Sequence, residues 1–517
     1  MKLNVVTISA LFIVLLVHGI AHSADSNRRG ALTTESKTFT QRIASTSGKT
    51  LYIERTQADL MISGESQNEI VAEATIEVSD VDAERVKGFF EQTKLAIEPY
   101  RQGYRVNLRT PRDEYFRRER SGFRRLMNFI FEGDSKGFSI STVLRIQLPA
   151  SQSIVIENEY GDINLENVQG DLQIENTAGE VTVERCGGSL NLQNSYAAAM
   201  IRDFDGEVTV NNESGEVSVA NISGNVRIAN SYKSVDFEKI GGTLTIDAQS
   251  SPVNGFGVKG DCAITSSYKP IKVSRISGKL TIKGESCDVT ASSVRNDVFI
   301  ETSYKPIIAD SIQGTLKVMA ESSPVTARMV AKEVSINTSY HDIILEHVGG
   351  AVDINGNSCN VTLMDVKKDV SIISSYKVIR IDNAGGNVDV DGSSCSVSVD
   401  GAGGDVKISN SYKPVTLKNT SGSIEVRGDS SPIEVSSIDK LPASGRIELY
   451  TTYKPVTLFL PASTSAKIFA RTEYGKIRSD FPVYLNNTDE KTATIDVGGG
   501  GAVVRIETTA DIVLRRQ

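Results

Sequence analysis

The sequence predicts an all-β protein, a parallel β-solenoid of 18-residue coils with a small α+β cap at its N-terminal end and a β cap at its C-terminal end. Three observations predict it. A tyrosine returns every 36 residues without drift, at Tyr160, Tyr196, Tyr232, Tyr268, Tyr304, Tyr340, Tyr376 and Tyr412. Midway between them stands a second signature, in Ser251-Pro252-Val253, Cys287-Asp288-Val289, Ser323-Pro324-Val325, Cys359-Asn360-Val361, Cys395-Ser396-Val397 and Ser431-Pro432-Ile433, so the unit is 18 residues in two alternating flavours. Tryptophan is absent and Gly, Ser, Val and Ile abound, which suits short strands joined by tight turns. A fixed short period marks a solenoid, because one repeat cannot bury its apolar face alone and must stack on its neighbours.

In chain order, residues 1–23 read as a secretory signal: Lys2, then an apolar run from Val5 to Ile20, then Ala21-His22-Ser23 with small residues where a signal peptidase cuts. The run is short for a spanning helix, and no later segment approaches that length, so the expected location is periplasmic, cell-envelope or extracellular, with no integral membrane span after cleavage. Residues 24–151 read as the α+β cap. Strands are expected over Thr50 to Ile62, Ile70 to Val78, Tyr104 to Leu108 and Thr142 to Leu148. A helix is expected over Asp82 to Lys94, with Val86, Phe89 and Phe90 on one face. An insertion at 112–131 is basic and aromatic; Phe123, Arg124, Arg125, Met127 and Phe131 form a candidate surface-contact helix, apolar on one face with its arginines off it. The commoner fate of such a face is burial against the protein itself.

Residues 152–439 are the regular solenoid. Aligned on Gln152, Gly170, Gly188 and onward to Gly422, all sixteen units are apolar at their third, fifth and twelfth positions, as in Val226, Ile228 and Val235. Alternation around those positions is the period of half-buried strands. Sixteen coils at the spacing of paired strands make a rod about 75 Å long. The frame breaks around Ser436 to Ser444 and resumes at Gly445. Residues 440–517 read as irregular last coils and a cap, with a turn at Gly498 to Gly501 before the alternating stretch Ala502 to Arg515. If a coil is 18 residues, Cys359 and Cys395 lie two coils apart, too far for a disulfide, and free thiols are expected. Cys186 and Cys262 fall at inward positions.

The repeated Gly-x-[Val/Leu]-x-[Ile/Val] units, together with Leu460-Pro461-Ala462, Thr472-Glu473-Tyr474-Gly475-Lys476-Ile477 and Ile506-Glu507-Thr508-Thr509-Ala510-Asp511-Ile512, resemble the DUF4097 β-strand-repeat family of bacterial adhesins, also called toastrack-like. The resemblance implies an extracytoplasmic β-solenoid with an adhesin-like role. It supplies no catalytic residues.

Composition narrows function further. A formal net charge of −8 argues against nucleic-acid partners. Beyond the signal only His341 and His347 remain, with no His-Glu-x-x-His or Cys-x-x-Cys spacing. No catalytic, cofactor-binding or metal residue is assigned, and no enzyme is expected. The candidate interaction edge is the row Tyr196, Tyr232, Lys233, Tyr268, Lys269, Tyr304, Lys305, Tyr340, Tyr376, Lys377, Tyr412 and Lys413, with Glu213, Glu285, Glu321 and Asp429 on alternate units nearby. Such a row could hold a cell-surface polymer or an envelope protein through many weak contacts. A packing reading stands beside it, in which each Tyr covers the small Ser or Cys of the next coil; alternating large and small layers favours that reading. Arg427-Gly428-Asp429 matches an integrin-binding tripeptide but arises at a repeat turn, where coincidence is the stronger explanation. The expected function is a non-enzymatic, adhesin-like envelope protein. The alternatives are a polysaccharide-binding or polysaccharide-cleaving β-helix and a structural spacer.

Overall fold

A computed structural model describes residues 33–45, 48–80, 83–111, 139–438, 444–482, 484–485 and 491–517. The signal segment and the 112–131 insertion, with Phe123, Arg124, Arg125, Met127 and Phe131, lie outside the described residues. The chain forms two compact units. In the smaller, the helix Ala83–Gln92 buries Val86, Phe89 and Phe90, which the helical period places on one face. Its Phe89 and Phe90 rings meet edge to face at 5.9 Å.

The larger unit comprises residues 38–76, 93–110 and 141–517, and it is a parallel β-solenoid. Each 18-residue rung gives one strand to each of two sheets, for example Val226–Ser231 to the first and Val235–Ile240 to the second. Equivalent strands pair in parallel and in register. Val226 stands beside Leu244, then Cys262, then Leu280, and Val235 stands beside Val253, Ile271 and Val289. These files are buried and fill the space between the sheets.

The first strand runs further than the apolar alternation suggests, from position three to eight, with position seven also facing inward. The second buries positions twelve, fourteen and seventeen, where the sequence is apolar or small, although strict alternation would turn seventeen outward. The reason is backbone conformation. Position sixteen is left-handed in rung after rung, as at Lys239 (φ 52°), Arg275 (φ 56°) and His347 (φ 57°). One left-handed residue turns the strand so that the next side chain points inward, as at a bulge.

Seams outside the apolar files tie rung to rung. At position two a side-chain oxygen accepts from the backbone N–H of the equivalent residue one rung on: Lys279 N to Asp261 at 2.8 Å, Thr315 N to Asp297 at 2.9 Å, Ser423 N to Asp405 at 2.7 Å. The backbone N–H of Thr315 holds the Asp297 carboxyl below the usual range.

From Ser266 onward a second seam follows the 36-residue alternation. In Tyr rungs from Ser266 onward, position seven is a buried Ser, Thr or Asn; in the intervening rungs it is Ala or Gly, and position ten is a buried Ser or Cys. The Thr302 hydroxyl accepts from Cys287 N and donates to Cys287 O, both at 3.2 Å. Thr338 does the same for Ser323 at 3.2 and 3.0 Å, and Asn410 does so for Cys395 at 3.1 and 2.8 Å. The position-ten side chain turns back to its own rung, with Cys287 Sγ 3.5 Å from Glu285 O and Ser323 Oγ 3.4 Å from Glu321 O. Cys and Ser are therefore interchangeable there. Position seven of the same rung must be small: a Cβ on Gly392 would lie 3.0 Å from Asn410 Oδ1, and one on Gly428 3.0 Å from Ser431 Cβ.

All five cysteines are unpaired and buried. Cys359 and Cys395 are separated by two in-register rungs, about 9.5 Å, beyond disulfide reach. Burial pushes the Cys287, Cys359 and Cys395 thiols up, and the Cys262 thiol up to about 12.

Both ends of the stack are built alike. Thr50–Thr56 pairs with Ser153–Tyr160 on one side and Gly103–Arg109 on the other, and Asp59–Glu65 likewise lies between Ile163–Glu166 and Ser139–Pro149. At the other end Ala502–Thr508 lies between Arg446–Tyr450 and Ala466–Thr472. The outermost strand of the first sheet then takes an antiparallel partner, Lys94–Tyr100 on Gly103–Arg109 and Thr492–Val497 on Ala466–Thr472. An antiparallel strand halts the parallel ladder and occupies an edge that invites further pairing. Two segments of the region read as a cap, Thr50–Thr56 and Asp59–Glu65, thus continue the ladder.

Replacing Thr302 by Val keeps shape but removes the side-chain acceptor of the buried Cys287 N–H. Urea unfolding is expected to show a loss of about 1–3 kcal/mol, with faster hydrogen exchange at the Cys287 amide. Unchanged stability and exchange would remove the pin from the account.

Candidate interaction edge

The tyrosines occupy position nine, the corner where the chain leaves the first sheet. Tyr232, Tyr268, Tyr304, Tyr340, Tyr376 and Tyr412 all have left-handed backbones, with φ between 61° and 71°. Bulky side chains seldom adopt this conformation. The intervening rungs put Ser250, Ser286, Ser322, Ser358, Ser394 and Ser430 at the same site with φ between 50° and 59°. Two hydrogen bonds hold the corner. The position-ten N–H reaches back over the Tyr to the position-eight carbonyl, as from Lys233 to Ser231 at 2.9 Å and from Lys413 to Ser411 at 2.7 Å, a three-residue turn of the rarer hand. The Tyr N–H donates to the position-eight carbonyl of the next rung, as from Tyr268 to Glu285 and from Tyr412 to Asp429, both at 2.8 Å.

This geometry throws the ring outward. Tyr196 is 57% exposed, Tyr232 71%, Tyr304 59% and Tyr412 64%. The packing reading therefore fails: the rings do not cover the small residues of the next coil. The space behind the corner is already filled from inside by the position-seven side chain of one rung and the position-ten side chain of its neighbour. Tyr160 alone in the series is half-buried.

The predicted row comes together on one corner. Lys233, Lys269, Lys305, His341, Lys377 and Lys413 are exposed beside the rings, and Glu285, Glu321 and Asp429 are exposed one rung on. Successive rings stand two rungs apart, about 9.5 Å along the axis. The Tyr268 hydroxyl donates to Glu285 Oε1 at 3.2 Å, and this bond pushes its pKa up. The edge thus offers flat aromatic surface, ammonium donors and carboxylate acceptors at a fixed interval.

Other candidates resolve differently. Arg427-Gly428-Asp429 lies within the strand Ile424–Asp429, not on a free loop. Arg427 Nε donates to Glu425 Oε1 at 2.7 Å and its guanidinium sits 5.1 Å from the Tyr450 ring centre. The two flank an open groove of about 1080 Å³, shared with Arg471, Glu473 and Glu507. Arg427, Tyr450, Glu507 and Arg471 run across it in adjacent register positions. His347 Nδ1 lies 3.0 Å from Asp365 Oδ2 across one rung. Among the described residues no cluster of three or more His, Cys, Asp or Glu is placed to hold a metal, and no helix is long and apolar enough to cross a membrane.

The Toastrack DUF4097 family model matches residues 200–513, more than half of the chain. No curated protein matches. Among solved structures, a match is a "putative cell adhesion protein" from Clostridium sporogenes, 8% identical, covering 93% of this chain and 100% of that chain with a TM-score of 0.15. A likeness that weak carries no argument.

Asparagine takes the left-handed conformation more readily than tyrosine. Tyr268→Asn is expected to leave the unfolding free energy within about 0.5 kcal/mol of the parent in urea titration. A loss of about 3 kcal/mol or more, the cost of emptying a packed aromatic site, would restore the packing reading.

Proposed function

The chain belongs to the Toastrack DUF4097 family, and from that premise and the geometry of its corner we propose that it is an exported, non-enzymatic, adhesin-like protein that attaches through the Tyr–Lys edge. The observation that carries this reading is the unbroken file of exposed aromatic rings on a rigid corner. Tyrosine offers large contact area at low ordering cost. Repetition supplies the rest, since sites linked on one rigid body act together and weak contacts sum to tight attachment. Lys2, the apolar run to Ile20 and Ala21-His22-Ser23 support export to the periplasm, the envelope or the exterior.

The test replaces Tyr232, Tyr268, Tyr304, Tyr340, Tyr376 and Tyr412 by Asn together. Beads carrying the full chain are scored for co-sedimentation with isolated bacterial envelopes. Attachment is expected to fall at least tenfold with the β-type circular dichroism unchanged. Full attachment by a folded variant would reject the edge and leave the spacer role.

A further inference from the structure

We infer that the tyrosine edge is a platform for an extended, uncharged, β-1,4-linked polysaccharide, one sugar pair to each pair of rungs; this deepens the proposed interaction role and rests on it. The first ground is period. Successive rings stand two strand spacings apart, about 9.5 Å, and the register across these rungs carries no shift. In an extended β-1,4-linked chain each sugar is rotated half a turn from its neighbour. The same face therefore recurs every second sugar, at a distance close to two strand spacings. A β-1,3-linked chain winds helically and presents no such straight file.

The second ground is chemistry. The axial C–H bonds of a pyranose present slightly positive hydrogens, which complement the negative face of an aromatic ring. Between rings the edge is low, with Ser286, Ser322 and Ser358 at the position that Tyr holds on either side, so the intervening sugar has room. Hydroxyl groups need both donors and acceptors. Lys269 and Lys305 supply donors and Glu285 and Glu321 acceptors. Both signs recur along the edge, which favours an uncharged chain over a polyanion or polycation.

The third ground is rigidity. Each Tyr backbone is fixed by the N–H bond to the next rung, at 2.8 Å for Tyr268, Tyr304 and Tyr376 and at 2.9 Å for Tyr340. A platform already ordered loses little freedom on binding.

The test is calorimetric titration of the full chain with cellohexaose, long enough to meet three rings, alongside a β-1,3-linked glucose hexaose. The parent is expected to bind cellohexaose saturably. Binding is expected to be at least tenfold weaker for the β-1,3 hexaose and for the variant with Tyr232, Tyr268, Tyr304, Tyr340, Tyr376 and Tyr412 all replaced by Asn, which leaves no two successive rings between Tyr196 and Tyr412. Absence of saturable binding, equal binding of the two glycans, or undiminished binding by the sixfold variant overturns the assignment. Envelope attachment measured on the same proteins separates the two levels. If the sixfold variant loses attachment while the parent ignores cellohexaose, only the glycan falls; if attachment also survives, the edge falls with it.

Discussion

Behind the corner where the chain leaves the first sheet, two consecutive rungs share one small space. It holds a buried hydroxyl or amide from one rung and a thiol or hydroxyl from the other, as with Thr302 and Cys287. Burying a polar group is tolerable only if its hydrogen bonds are made, and here the hydroxyl or amide satisfies the position-ten backbone of the neighbouring rung while the position-ten side chain bonds a carbonyl of its own rung. From Ser266 onward the two kinds of rung alternate to fill that space; before it, consecutive rungs repeat a buried Asn (Asn158, Asn176, Asn194, Asn212 and Asn230), and Asn176, Asn194 and Asn230 each donate to the carbonyl three residues on. With the inside of the corner occupied in either way, position nine points outward, and the sequence places an aromatic ring there on every second rung.

The files of Val and Ile and the position-two ladder supply a stack on which this corner repeats. Parallel strands in constant register carry each feature of one rung onto the next without drift. Rigidity follows from the same hydrogen bonds that bring the chain round the corner. The edge is thus periodic, exposed and fixed for three separate physical reasons, and a ligand that shares its period meets it with little ordering cost.

Much of this was legible in the sequence. The third, fifth and twelfth positions mark inward files because apolar alternation reports which face of a strand is buried. The helix at Ala83–Gln92 was legible from Val86, Phe89 and Phe90. What periodicity cannot report is the sign of φ. Tyr268 is an unusual residue for a left-handed corner, so its recurrence was as compatible with packing as with exposure, and the preference for packing proved wrong. Position sixteen hid for the same reason: Lys239, Arg275 and Met329 share a backbone conformation, not a side-chain type. The insertion of Thr50–Thr56 and Ala502–Thr508 as penultimate rungs depends on pairing between segments distant in sequence, to which local pattern is blind.

The geometric core of the account is one rung per 18 residues with position nine in an axial file. Pulsed dipolar spectroscopy on spin labels at Ser286→Cys and Ser394→Cys tests it most directly, the five native thiols being buried. Six rungs separate these positions, and the account predicts a mean distance of about 29 Å. A distance of about 14 Å, the value for three coils of twice the length, would contradict it.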